Sequence, residues 1–234
     1  MKLLSPYLYC LLLSCLGQNC LAQNAAPILL ATHDQAPYGS YLANQRFDGI
    51  AVKVVSCVLT RMKQAFVIKV YPWERAQVMA EKAQVDGFFP ATLKPERLLW
   101  AEATAVIAEQ KWVWYLPANT QLDPTSADFK ATAKVGAHFG SNRLKFLQEQ
   151  GYQVVLTPQT DELLLKAFLL GRADAILAGN LAIAAAMQQS KIPADTLKTF
   201  IHKDQPLHAY FGRRFLETHP DFISQFNAQL ITCR

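Results

Sequence analysis

The sequence is short of the features that mark several common functions. It has no run of four or more Lys and Arg residues, and its net charge is only +5. A nucleic-acid groove therefore has little support. No stretch of 18 apolar residues occurs, which argues against a transmembrane helix. With 10 glycines and 12 prolines in 234 residues, a collagenous or linker-like chain is excluded. The catalytic signatures HExxH, CxxC, GxSxG, GxGxxG and the Walker loop are all missing. The five histidines (33, 138, 202, 208 and 219) lack metal-ligand spacing. No metal, cofactor or catalytic group is expected from these motifs. What is present is a globular composition, 51% apolar and 18% charged.

Residues 1–22 have three parts: Lys2, a short apolar core from Leu8 to Leu16, and Cys20-Leu21-Ala22 before a cut. This is the pattern of a secretory signal peptide, and it predicts a periplasmic protein. A lipoprotein cut before Cys15 is the alternative. Cleavage after Ala22 removes Cys10, Cys15 and Cys20 and leaves Cys57 and Cys233. An even pair in an exported chain invites a disulfide. Two separate buried thiols are the other reading, since Cys57 lies at the edge of an apolar helical stripe.

Along the rest of the chain, β-rich runs alternate with helical ones. Strands are expected at Ile28–Thr32, Phe66–Tyr71 and Val85–Phe89, with helices at Gly49–Met62 and Trp73–Gln84 between them. The same βαβαβ plan recurs as strands at Lys134–Ala137, Gln153–Leu156 and Ala173–Ala178. Helices at Ser141–Gln150 and Asp161–Leu170 lie between those three. Ala105–Leu116 reads as a long β-rich run, Pro117–Lys130 as a polar stretch, and the tail as a strand from Leu207 followed by a helix over Pro220–Ile231. Two α/β lobes are predicted, one of residues 23–108 plus 209–234 and one of 109–208. Both surviving cysteines then fall in the first lobe, so a Cys57–Cys233 bridge is predicted. A cleft between two lobes is a default ligand site.

Four segments supply candidate contacts. Arg97 follows a strand end, where its fork suits a carboxylate; a surface pair with Glu96 or Glu102 is the alternative. Ser141 and Asn142, after His138, open a helix whose free N–H groups favour an anion; the alternative for Ser141 is an ordinary N-cap. Trp73 and Tyr38 sit beyond adjacent strands, as a sandwich for a ligand or as core.

Pro37-Tyr38, the run from Pro72 to Ala76, Val85-Asp86-Gly87, Pro95-Glu96-Arg97, Val135 to Ser141 and Gly171 to Ala175 resemble, in order and spacing, the family 3 extracellular solute-binding proteins. The resemblance implies the type II periplasmic-binding fold, α/β with two βαβαβ lobes joined by two crossover strands. It implies a monomeric periplasmic protein that hands a small anionic or zwitterionic ligand to an ABC permease. A membrane sensor is the alternative partner. It gives Arg97 the ligand carboxylate, with Thr92 beside it and Ser141 donating to the same group. Trp73 would stack on the ligand, His138 would be a basic contact, and Tyr38 or Gln35 would take the other stacking position. Two positions depart from the family. Gly179, followed by Asn180, stands where an Asp usually accepts the ligand ammonium, and Lys53 replaces an acid of the first helix. An anion is then preferred over a zwitterion, unless Asp34 or Glu74 replaces the lost carboxylate. Some proteins on this fold resemble cyclohexadienyl dehydratases, for which His138 or Glu74 would be the acid or base. A binding protein without catalysis is the expected function.

Overall fold

A computed structural model describes residues 26–234. The signal-peptide reading and Cys10, Cys15 and Cys20 lie outside these residues. The first strand, β1 (Ile28–Thr32), is followed by a short hairpin, β2 (Ser40–Tyr41) with β3 (Phe47–Asp48). Helix α1 (Ile50–Arg61) buries Ala51, Val52, Val54, Val55, Val58 and Leu59, one continuous face at helical spacing. Its entry is fixed by contact with the preceding loop. The Ala51 N–H donates to the Tyr38 carbonyl at 2.9 Å and the Ile50 N–H to that of Pro37 at 3.0 Å. A Cβ at Gly49 would lie 2.5 Å from the Tyr38 carbonyl, so only glycine permits this approach.

Strand β4 (Phe66–Val70), helix α2 (Trp73–Glu81) and strand β5 (Gly87–Thr92) complete the first unit. All six β5 residues are buried, as expected for the centre of a covered sheet. β5 runs beyond its expected end at Phe89, straight through Pro90. Its antiparallel partner slips register between His208 and Tyr210, and that irregularity absorbs the missing proline donor. After the turn α3 (Pro95–Leu98) and the strand β6 (Ala101–Ala103), the chain leaves this sheet.

The second unit opens with β7 (Lys111–Pro117), then α4 (Phe129–Thr132), β8 (Lys134–Gly136), α5 (Asn142–Glu149) and β9 (Gln153–Leu156). It continues through α6 (Asp161–Leu169), β10 (Ala175–Gly179), α7 (Asn180–Gln189), a 3-10 turn (Ala194–Thr196) and β11 (Leu197–Asp204). The chain then returns to the first sheet as β12 (Leu207–Gly212) and ends in α8 (Arg213–Thr218) and α9 (Phe222–Leu230).

Two five-stranded sheets result, in the orders β4-β1-β5-β12-β6 and β11-β7-β10-β8-β9. Of the long β-rich run expected over Ala105–Leu116, only the part from Lys111 is strand. The rest is the first of two crossovers. The crossovers pair with each other: the Leu207 N–H donates to the Ala108 carbonyl at 2.9 Å and the Gln205 N–H to that of Gln110 at 2.8 Å. Cys57 on α1 and Cys233 beyond α9 form a disulfide, with Cα atoms 5.8 Å apart. It joins two helices that already share one core through Val58, Leu59, Phe226 and Leu230.

Candidate functional site

A cavity of about 670 Å³ lies between the two sheets. Its first wall is built where β1, β4 and β5 end: His33 and Asp34 follow β1, Tyr71 follows β4 with Trp73 and Glu74 opening α2, and Thr92 closes β5. Its second wall is the start of α5, with His138, Ser141, Asn142 and Arg143. Gln110 and Leu207, from the two crossovers, also line it. Strand ends and helix starts meet here because in both units the parallel strands run toward the cleft.

The first wall is aromatic and weakly acidic. The His33 ring lies 4.4 Å from the Trp73 ring, and its Nε2–H donates to Gln35 Oε1 at 2.9 Å. Burial pushes the His33 pKa down to about 4, against a raising contribution from Gln35, so the ring is neutral at pH 7. Burial likewise raises the Asp34 carboxyl, partly offset by the nearby His138. The second wall carries a charge cluster. His138 Nδ1–H donates to Asp161 Oδ2 at 3.4 Å, and Arg143 Nη2 is 3.8 Å from the same oxygen. Burial alone pushes the Asp161 carboxyl up. The His138 bond and the Arg143 charge outweigh that and hold it below its ordinary value.

Several buried polar atoms have no hydrogen-bond partner among the described residues: Thr32 Oγ1, His33 Nδ1, Gln110 Nε2, Arg143 Nε and Asp161 Oδ1. His33, Gln110 and Arg143 line the cavity. Folded proteins pair most such groups, so their concentration at one place marks a site.

The expected site residues divide into three groups. Trp73, Thr92, His138, Ser141 and Asn142 line the cavity. Ser141 is also the N-cap of α5, its Oγ accepting from the Leu144 N–H at 3.2 Å. Arg97 lies elsewhere, in an adjoining recess of about 700 Å³ that shares Trp73, Ser141 and Asn142 with the cavity. It makes no pair with Glu96 or Glu102, which lie against Lys94 and Arg213 instead. It is 3% exposed. Its Nε and Nη2 donate to Gln77 Oε1 at 3.1 and 2.7 Å, and Nη1 to the Thr92 carbonyl at 2.7 Å. Its guanidinium lies 5.1 Å over the Trp73 ring.

Tyr38 is fully buried in the first core. The loop bonds that start α1 turn its ring inward, its hydroxyl donates to the Glu109 carbonyl at 3.0 Å, and burial raises its pKa to about 12. Gln35, Tyr41 and Tyr71 line the cavity. Gly179 ends β10 and is the N-cap residue of α7, and a Cβ built on it would lie 3.8 Å from Arg143 Nη1 and from Gln110 Nε2. Asp34 and Glu74, the acids named as its substitutes, both line the cavity.

Sequence reasoning missed His33, Gln110, Arg143 and Asp161. The signal for Arg143 lay one residue past the Ser-Asn helix start. Asp161, at the first position of α6, was legible only as a helix-start acid.

No protein-family model matches the sequence, and neither does any curated protein. Solved structures do match. A histidine kinase sensor domain with similarity to periplasmic binding proteins superimposes with a TM-score of 0.72 at 15% identity, over 88% of this chain and 90% of that one. The arginine-bound form of truncated ArgBP from T. maritima gives 0.69 at 14%, over 88% and 96%. The arginine-, lysine-, histidine-binding protein ArtJ from Geobacillus stearothermophilus gives 0.68 at 14%, over 88% and 88%. This is the periplasmic-binding-protein fold. In the type II form of that fold the cleft sits between two α/β lobes, where the cavity lies here. Among the described residues no helix is long and apolar enough to cross a membrane, and no group of His, Cys, Asp or Glu is placed to hold a metal ion.

Proposed function

We propose that the chain is an exported, periplasmic solute-binding protein of the family 3 kind. It captures a small carboxylate-bearing or amino-acid-like ligand between lobes 23–108 plus 209–234 and 109–208, and delivers it to an ABC importer. One observation carries this reading: a cavity between two sheets, lined by buried polar atoms that the described residues leave unpaired. Trp73 supplies a flat apolar surface. Thr92, Ser141, Asn142 and His138 supply polar contacts. Arg97 adds positive charge from behind Trp73. Asp34 and Glu74 are on hand for a ligand ammonium, so the glycine at 179 does not exclude a zwitterion. The amino-acid binders among the structural neighbours support this class.

A second reading has its own support. The sensor-domain neighbour shares the fold, so the same capture event can serve a membrane signalling receptor. Binding is preferred over catalysis, because the neighbours are binding proteins and a sensor.

The test is a thermal-shift screen of L-amino acids against simple carboxylates. A ligand at about 100 times its Kd adds about 2.7 kcal/mol, which is roughly 5–10 °C for a chain of this size. Trp73 and Trp112 line the cavity, so tryptophan fluorescence should change with the same ligand. No shift and no fluorescence change across both classes would reject the reading.

A further inference from the structure

The cavity has a polar corner that none of the expected contacts explains. Arg143, the second residue of α5, is 4% exposed, and Gln110, on the first crossover, is 3% exposed. Arg143 touches Asp161 with Nη2 only, at 3.8 Å, a distance too long for a hydrogen bond. Its Nε–H has no partner among the described residues. Gln110 accepts from Trp112 Nε1 at 3.3 Å with its oxygen, while its Nε2 has no such partner. The two side chains converge on Gly179. A Cβ there would lie 3.8 Å from Arg143 Nη1 and 3.8 Å from Gln110 Nε2. This glycine is the N-cap residue of α7 and gives it no side-chain cap, so the helix's positive end adds to the same field.

We infer that Arg143 and Gln110, above Gly179, form the anchor for a carboxylate of the ligand. A guanidinium is planar, and its donors match the two oxygens of a carboxylate. A primary amide beside it donates a further hydrogen bond. Asp161, which also pairs with His138, stands at Nη2, while Nη1 is the nitrogen that faces Gly179. Arg97 is built the other way, with three of its donors already on Gln77 and Thr92. The missing side chain at 179 is what leaves the anchor open to an external carboxylate. This inference rests on the cleft being the ligand site and adds which end of the ligand lies where. The carboxylate is held by the second lobe and the crossover, and the remainder faces Trp73, Asp34 and Glu74.

The experiment uses the full mature chain and three probes, succinate, L-glutamate and L-arginine, followed by tryptophan fluorescence and calorimetry. At least one probe should bind the wild type. Arg143→Gln should weaken it by roughly 30-fold or more, the range for truncating one side of a buried charge pair. Arg97→Gln should weaken it less. Gly179→Asp provides a second route that removes no cavity side chain. A tethered carboxylate there should occupy the anchor, abolish probe binding and raise Tm above that of Gly179→Asn, which caps α7 equally well but carries no charge. Probe affinity unchanged in Arg143→Gln or in Gly179→Asp would overturn the anchor while leaving the cleft as the ligand site. So would a larger loss in Arg97→Gln than in Arg143→Gln. If none of the probes binds but a ligand without a carboxylate does, the anchor also falls. If nothing in the wider screen binds, the ligand-binding reading falls with it.

Discussion

Each sheet unit buries one arginine beside the cleft, and the two are held in opposite ways. Arg97 has no carboxylate within ion-pair distance among the described residues. Neutral oxygens of Gln77 and Thr92 accept its hydrogen bonds, and the rings of Trp73, Tyr210 and Phe88 surround it at 5.1–6.0 Å. Arg143 has a carboxylate beside it, yet keeps a buried N–H without an acceptor. On the anchor inferred above, a buried charge is not by itself a binding group. What matters is whether its donors are already committed. The scaffolds differ in the same sense. The first unit is stapled by Cys57–Cys233, while the second relies on its core and on capped helices such as those begun by Ser141 and Thr160.

The largest effect should come from the staple. Replacing Cys57 and Cys233 together by Ser opens a loop spanning 176 residues, worth at most about 5 kcal/mol in the chain-entropy account. The guanidinium unfolding midpoint should fall sharply. An unchanged midpoint would mean that the first unit does not depend on its staple more than the second depends on its caps.

Next in size is a pH effect from the first wall. Unfolded His33 takes up a proton near its ordinary value of 6.5, but the folded residue does so only at about 4. Stability should therefore fall as pH drops from about 6.5 to about 4, and this contribution should level off below that. The shift sets a ceiling of about 3 kcal/mol. Denaturant midpoints at pH 7 and pH 4.5 should differ less in His33→Gln than in wild type; an equal difference would remove His33 as the source.

Smallest is Gln77→Leu, which strips the acceptor from Arg97 Nε and Nη2. Leaving these donors buried and unpaired should cost roughly 2 kcal/mol, read as a lower unfolding midpoint. No loss would show that the aromatic cage alone holds Arg97, and the contrast between the arginines would narrow.

Much of the fold was legible because it is periodic. The spacing that marks α1 and the β-branched run of β4 are local properties, and β1 falls on its expected residues, Ile28–Thr32. Among the elements that escaped, two are instructive. Helix α7, Asn180–Gln189, is apolar almost all round, so it presents no contrasting faces. Strand β11, Leu197–Asp204, lies at the edge of its sheet and is half exposed, so it carries charges where a central strand would not. The site was half legible. Residues flanking strand ends and helix starts could be named, because the chain order puts them at the cleft. Tyr38 turned inward because its own backbone begins α1, a constraint invisible in its neighbours. Arg143 was missed because a charge in a first helical turn reads as solvated surface. Its burial, 4% exposed, emerges only when the fold sets it against Asp161 at the start of the next helix.

The pairing of the sheets has a consequence for assembly. The second sheet is built from one uninterrupted stretch, residues 111–204, whereas the first has β12 between β5 and β6. The second unit is therefore an insertion within the first. A chain that emerges from its N-terminus can complete the second sheet while the first still lacks its last strand, β12. Until that strand arrives, β5 and β6 have no partner between them, and their edges are the ones open to wrong pairing. Truncation from the C-terminal side, even one that spares every cavity residue before Leu207, would damage the first sheet and leave the strands of the second whole.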